Sequence, residues 1–550
     1  MNSVQRSATR PRARALLPAV LVCAAVLPLV AAAPPPADAA TGPATGPATG
    51  PATGPAAPGS PAPATAGERT ADARLRGLRD RPRELSAFLR AMPKGGELHS
   101  HLSGAVSTEL LIDLAIRDGL CIRVADMTAV EPPCGPGTRP AADTRTDEAL
   151  RKQVIRAWSM QDFKPGAESG HDHFFATFDK FGEASWRHPG TMIAEVLNKA
   201  ADHHQLYQEL MLTPASGAAK QLAAKVGYDP DPARMRAKLL ADGGMEQVVR
   251  TARADADKAE AEFREVARCD TARPQPACSV PFRFISQVSR GSAPERVYTQ
   301  MVLGMELAER DRRFVAVNLV QPEDGEVALR DYRLQMRMLG YLRTQYPERS
   351  HITLHAGELV PGLVKPEDLL FHIREAVGTA HAERIGHGVD VRYEDGNREL
   401  LRTMARRNIA VEVPFTSNDQ ILQVRGAEHP FPLYRRYGVP VVLATDDQGV
   451  ARITITDEYR RAAETYRLSY RDLKDLARAS LEHAFLNGRS LWQAPGTYRA
   501  VAECAGSVPG VGRPSARCAA FLDRSPKAAL EWKQEVWFRD FESRVARRAL

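Results

Sequence analysis

The chain has 550 residues, 43 % of them hydrophobic, and a formal charge of +7. That length allows one large domain with insertions or two or three ordinary ones. The charge is modest and comes from arginines mixed with acids along helical stretches. No dense basic run with interleaved aromatics is present, which argues against a nucleic-acid surface.

Residues 1–39 read as a secretory signal peptide. Arg6, Arg10, Arg12 and Arg14 precede an apolar run from Ala15 to Ala33, and Ala37-Asp38-Ala39 offers a small-residue cleavage site. The expected location is therefore outside the cell. No later stretch is long and apolar enough to span a bilayer. Residues 40–67 repeat Thr-Gly-Pro-Ala and then become rich in Pro, Ala and Ser, which predicts a disordered linker. Beyond Cys23 six cysteines remain, in three local pairs within loop-like segments. There is no Cys-x-x-Cys. Export permits oxidation, so three disulfides are expected: Cys121 with Cys134, Cys269 with Cys278, and Cys504 with Cys518. This is the simplest of the connectivities that six cysteines allow.

A helix is expected over Ala71–Met92, within an N-terminal helical extension at 68–91. The main domain, 92–495, opens with a strand that carries His99 and His101. Alternation puts both imidazoles on one face, where they can share a metal ion. Ser107 is positioned to cap a helix through Ile116. A Pro/Gly-rich insertion follows at about 118–146. His171 and His173 begin an amphipathic helix with Phe174, Phe175, Phe178 and Phe181. Positions two apart on a helix point apart, so these histidines read as non-ligands.

From Leu206 strands and helices alternate. Strands are expected at 206–212, 282–288, 314–320, 351–355, 384–385, 409–413 and 439–444. Helices are expected over 232–266, 294–309, 327–344, 366–377, 398–407 and 457–484. With the first strand this makes eight, the pattern of a TIM-type (β/α)₈ barrel of the α/β class, whose site forms at the C-terminal strand ends. Residues 496–550 add a disulfide loop and a helix.

At those strand ends stand His99 and His101, then His355 with Glu358 just after, then His387, then Asp446 and Asp447. Three histidines and one carboxylate match the donor set of a catalytic zinc. Ser417 and Asn418, after strand seven, read as a loop-capping pair.

These residues resemble the adenosine deaminase family of metal-dependent hydrolase barrels. The motifs that carry the likeness are Leu98-His99-Ser100-His101-Leu102 with Gly104-Ala105, Leu354-His355-Ala356-Gly357-Glu358, Arg384-Ile385-Gly386-His387-Gly388 and Thr445-Asp446-Asp447. Met92-Pro93-Lys94-Gly95-Gly96, the signal peptide and the cysteine-containing insertion look like the secreted growth-factor branch. The resemblance implies one zinc ion per chain, held by His99, His101, His355 and Asp446. It implies that Glu358 protonates purine N1 and that His387 orients the water and helps take its proton. Asp447 would meet the N7 side, and Gly357 joins it among the substrate-binding positions. Ser103 stands where the family usually has an Asp that contacts the ribose. Gln321 stands where a Gly usually meets purine N3.

The expected reaction is the hydrolytic deamination of adenosine, and of 2′-deoxyadenosine, to inosine and ammonia, with a purine nucleoside as the small-molecule partner. The same barrel acting on adenine, AMP or a 5′-modified adenosine is the alternative, and a non-catalytic secreted signalling protein is a further one. A binuclear hydrolase would want a bridging lysine near Asn318–Gln321, where none stands. The resemblance also admits a homodimer.

Overall fold

The protein is described from a computed structural model, which covers residues 64–549. The expected signal peptide and almost all of the linker lie outside the described residues. Eight strands form one sheet in chain order. They are β1 (Gly95–His101), β2 (Gln205–Leu212), β3 (Phe282–Ser289), β4 (Phe314–Val320), β5 (His351–Ala356), β6 (Arg384–His387), β7 (Ala410–Val413) and β8 (Val441–Leu443). All seven neighbouring pairs are parallel. Strands covered on both faces should be apolar along their length, and every residue of β4 and of β7 is buried.

The sheet closes through backbone contacts just beyond β8. The Asp446 N–H donates to the His99 carbonyl (3.0 Å), and the His101 N–H donates to the Asp446 carbonyl (3.3 Å). Buried Glu97 clasps the same seam. Its Oε1 accepts the His99 N–H (3.1 Å), and its Oε2 accepts the Thr445 N–H (3.1 Å) and hydroxyl (3.0 Å). The closing seam of the barrel therefore runs through three residues that the sequence marks as metal ligands.

Several expectations are corrected locally. The N-terminal extension is two helices, Ala66–Leu78 and Pro82–Ala91. Pro82 lacks an N–H and starts the second helix at a position where none is needed. The insertion carries a small antiparallel sheet of three three-residue strands, at 121–123, 128–130 and 138–140. Strands that short leave no readable alternation. The stretch expected as one helix over 232–266 is Pro232–Leu240 and Gly244–Val266, with Asp242 and Gly243 at φ 52° and 68° between them.

The three disulfides join the expected pairs, Cys121–Cys134, Cys269–Cys278 and Cys504–Cys518. The C-terminal helix, Pro526–Ala546, packs on the first helix. The buried Lys474 ammonium ties the two, donating to Glu68 Oε1 (3.0 Å) and Glu542 Oε1 (2.7 Å). Among the described residues no helix is long and apolar enough to cross a membrane.

Candidate active site

The end of β1, the end of β5 and the turn after β8 deliver His99, His101, His355 and Asp446 to one point. Each offers a donor atom, and these atoms lie within 4.8 Å of one another. Each imidazole is anchored by its far nitrogen. His99 Nδ1 meets Glu412 Oε2 at 2.7 Å, His101 Nδ1 meets Gln287 Oε1 at 3.1 Å, and His355 Nδ1 meets Asn318 Oδ1 at 2.9 Å. Oxygen acceptors at Nδ1 draw the single proton of a neutral ring to that nitrogen and leave Nε2 bare. His355 Nε2 then lies 3.1 Å from His99 Nε2 and 3.2 Å from His101 Nε2. Three converging lone pairs repel unless a cation sits among them. Asp446 Oδ1 faces the same point, buried and without a hydrogen-bond partner. The four residues thus fit a metal ion with nitrogen and oxygen ligands.

The anchors are themselves held. Glu412, fully buried, also accepts from Thr353 Oγ1 (2.9 Å) and from the Arg384 guanidinium. Arg384 reaches on to Glu209 Oε2 at 2.6 Å. The arginine that opens the Arg-Ile-Gly-His-Gly motif therefore stabilises the carboxylate behind His99. Paired, hydrogen-bonded ions of this kind avoid the large cost of burying an isolated charge.

Glu358 follows His355 by three residues, on the turn after β5. The turn is shaped by Gly357, at φ 77°, where an added Cβ would come within 2.4 Å of Asp390 Oδ1. Glycine meets both demands. The Gly357 and Glu358 N–H groups donate to the two carboxylate oxygens of Glu323 (3.0 and 2.8 Å), on the loop after β4. Glu358 is buried, and burial pushes its carboxyl well above the usual range, with the negative Asp446 and Glu323 adding to the effect. Asp447 is raised for the same reasons, burial first and then Asp446. Gly104 gives Asp447 its room, since a Cβ there would meet Asp447 Oδ1 at 1.8 Å.

His387 ends β6. Its Nδ1 contacts the Asn418 carboxamide (2.9 Å), and its Nε2 lies 4.0 Å from Asp446 Oδ2. Burial lowers its pKa to about 4, so the ring is neutral. His387, Asp446 and Gln321 all have positive φ, at 64°, 58° and 83°. Non-glycine residues in that region carry strain, and such residues cluster at functional sites.

His101, His355, Glu358 and Asp446 border a cavity of about 480 Å³. Ser103, Thr213, Gln287, Gln321 and Asp447 form part of its wall, and Phe174, Phe175 and Phe178 another part. The family model described as adenosine deaminase matches residues 173–490. The chain belongs to the adenosine deaminase family. The match holds His355, Glu358, His387, Asp446 and Asp447, while His99 and His101 precede it and are brought in by the fold.

Among curated relatives of this deaminase-family chain, an adenosine deaminase from Vibrio atlanticus (strain LGP32) is 33 % identical over 145 residues, 26 % of this chain and 40 % of the relative. One from Escherichia coli O157:H7 is 39 % identical over 138 residues, 25 % and 38 % of the two chains. The chain thus spans about 40 % of the length of the curated relatives it matches. Solved structures with a similar fold include an Arabidopsis N6-mAMP deaminase, at 21 % identity and TM-score 0.47, covering 73 % of this chain and 96 % of the other. An adenine deaminase from Arthrobacter aurescens matches at 17 % identity and TM-score 0.44, covering 72 % and 94 %.

His99, His101, His355 and Asp446 form the donor cluster, and Ser103, Gln321, Glu358 and Asp447 line the cavity beside it. Gln321 lines the cavity, and its Oε1 accepts the Gly291 N–H (3.0 Å), which draws the side chain toward the loop after β3. His171 and His173 lie outside the donor cluster. His171 Nε2 meets Asp324 Oδ1 (3.0 Å), and His173 Nε2 meets the Ser159 carbonyl (3.0 Å).

The loop-cap reading of Ser417 and Asn418 is corrected. They lie in a helix, Phe415–Leu422, and Ser417 Oγ donates to Asp446 Oδ2 (2.7 Å) while Asn418 holds His387. Asn318, Gln287, Glu412 and Glu323 have no site role in the sequence reading, where Phe174, Phe175 and Phe178 figure only as the apolar face of a helix. Their shared signal was a polar residue in or just after an otherwise apolar strand, or an aromatic run on one helix.

Proposed function

We propose that the protein is a zinc-dependent hydrolase that deaminates adenosine, and 2′-deoxyadenosine, giving inosine and ammonia. One observation carries this reading: a buried carboxyl, Glu358, stands beside the four-residue donor cluster with a nucleoside-sized cavity in front of both. Zinc held by His99, His101, His355 and Asp446 would supply a water molecule activated as nucleophile at neutral pH. The amino-bearing ring carbon accepts a nucleophile only when the adjacent N1 is protonated. Glu358, kept neutral by burial, has that proton to give. Asp447, also held neutral, can donate a hydrogen bond to the N7 side. His387 faces the reacting oxygen and orients it.

The lining favours an uncharged substrate. It contains no Lys or Arg among the described residues, and Asp179 stands on the phenylalanine side. A 5′-phosphate would find no cation there, so the nucleoside is preferred over AMP. The three disulfides support an oxidising destination and hence secretion. The test is a comparison of ammonia release from adenosine, deoxyadenosine, adenine and AMP by the zinc-loaded chain. Adenosine should lead, with AMP at least about tenfold slower in kcat/KM. AMP as the best substrate would overturn the preference, and silence on all four would overturn the activity.

A further inference from the structure

What His387 can do depends on which ring nitrogen carries its proton. Nε2 faces Asp446 and the centre, and Nδ1 touches the Asn418 carboxamide at 2.9 Å. Glu358 Oε1 is farther from Nδ1, at 3.5 Å, outside ordinary hydrogen-bond range. The two ends of a carboxamide have the same shape, so its orientation follows from its partners. The other end of Asn418 lies 2.9 Å from His429 Nε2.

His429 is fully buried, and its Nδ1 receives the backbone N–H of Phe431 at 3.1 Å. A backbone N–H can only donate. His429 Nδ1 must therefore be bare, which leaves the proton of the ring on Nε2. Burial, with Arg392 and His387 adding, lowers the His429 pKa to about 3, so there is no second proton. His429 Nε2–H then donates to Asn418, and the end of Asn418 that receives it must be oxygen. The amide NH₂ faces His387 and donates to Nδ1. With Nδ1 accepting, the proton of His387 sits on Nε2. The opposite orientation would set two N–H groups head to head between His429 and Phe431 in a buried place, at the cost of an unsatisfied donor.

We propose that Asn418 and His429 are positioning residues that relay the Phe431 N–H to His387 and fix it with its proton on Nε2. The neighbouring rings are sorted the other way. Asn318 Oδ1 accepts the His355 backbone N–H (3.1 Å) as well as the ring proton, which sets its oxygen inward by the same logic. Four imidazoles thus meet at one mouth, three offering lone pairs and one offering an N–H. His387 is neither a metal ligand nor a base in the resting protein. It donates to a lone pair of the reacting oxygen and orients it. That consequence rests on the deaminase reading, whereas the proton position does not.

Nitrogen NMR on the full chain with isotope-labelled histidine, zinc-loaded, reads each proton position directly. His387 and His429 should show the proton on Nε2, and His99, His101 and His355 on Nδ1. A proton on His387 Nδ1 would overturn the proposal whether or not the protein deaminates anything. In Asn418→Asp the carboxylate only accepts, so the His387 proton should move to Nδ1, with kcat falling at least about tenfold and KM within about twofold. An unchanged His387 spectrum in that variant would also overturn it. If Asn418→Asp does not fold, the wild-type spectrum decides alone.

Discussion

Single atoms carry most of the account. Asn318 supplies one oxygen, yet that oxygen holds both the main chain and the ring of His355. Loss of such an outer partner typically weakens metal binding ten- to a hundredfold. Asn318→Ala should weaken zinc binding by about 10–100-fold, measured by chelator competition, while the fold survives. An unchanged affinity would mean that packing alone orients the ring. The four-residue donor cluster was legible because a metal demands few residue types and the barrel fixes where they stand. Asn318, Gln287 and Glu412 were not, because their partners lie on other strands and no local spacing announces them.

At the scale of elements, the loops at the mouth are tied to one another rather than left to tertiary packing. Glu323 from the β4 loop receives two N–H groups of the β5 loop, those of Gly357 and Glu358. Glu323→Ala would leave both donors unpaired and release the acid from its position. The expected result is a loss in kcat of about 10–100-fold with zinc content unchanged. The N-terminal extension depends on the Glu68–Lys474–Glu542 cluster. Burial alone would raise the Glu68 carboxyl, but Lys474 and the Thr65 N–H outweigh it and bring it from 4.5 to about 2. A lowered carboxyl stabilises the fold above its unfolded pKa and loses that effect as pH falls through its folded one. Glu68→Gln should therefore be less stable by roughly 1–2 kcal/mol at neutral pH, since Lys474 keeps Glu542 as a partner. The difference should shrink below about pH 4.5 and vanish near pH 2, as read by denaturant melts. Element identities were readable wherever an apolar run exceeded about five residues. The breaks at Pro82 and Gly243 were not, because a helix-compatible pattern runs on across both.

For the whole molecule, the order of strands was written in the alternation of apolar runs and helical periods, and the barrel closes at His99, His101 and Asp446 of the donor cluster. Three short-range disulfides pin segments outside the barrel strands, and Cys504–Cys518 lies in a small buried cluster with Leu491, Trp492, Phe521 and Trp532. Cys504–Cys518 closes a separation of 14 residues. Loops of that size give about 2–3 kcal/mol. Cys504→Ser with Cys518→Ser should lower stability by about that amount and leave deamination intact, while a loss of activity in the folded variant would tie the C-terminal loop to the site. The central claim is that the donor cluster and Glu358 form one reaction centre. Its most direct test is ammonia release from adenosine by the wild-type chain and by Glu358→Gln, with zinc content measured on both. The account predicts equal zinc and a loss of about 10²–10⁴-fold in kcat for the variant. A zinc-loaded Glu358→Gln that turns over like the wild type would contradict it.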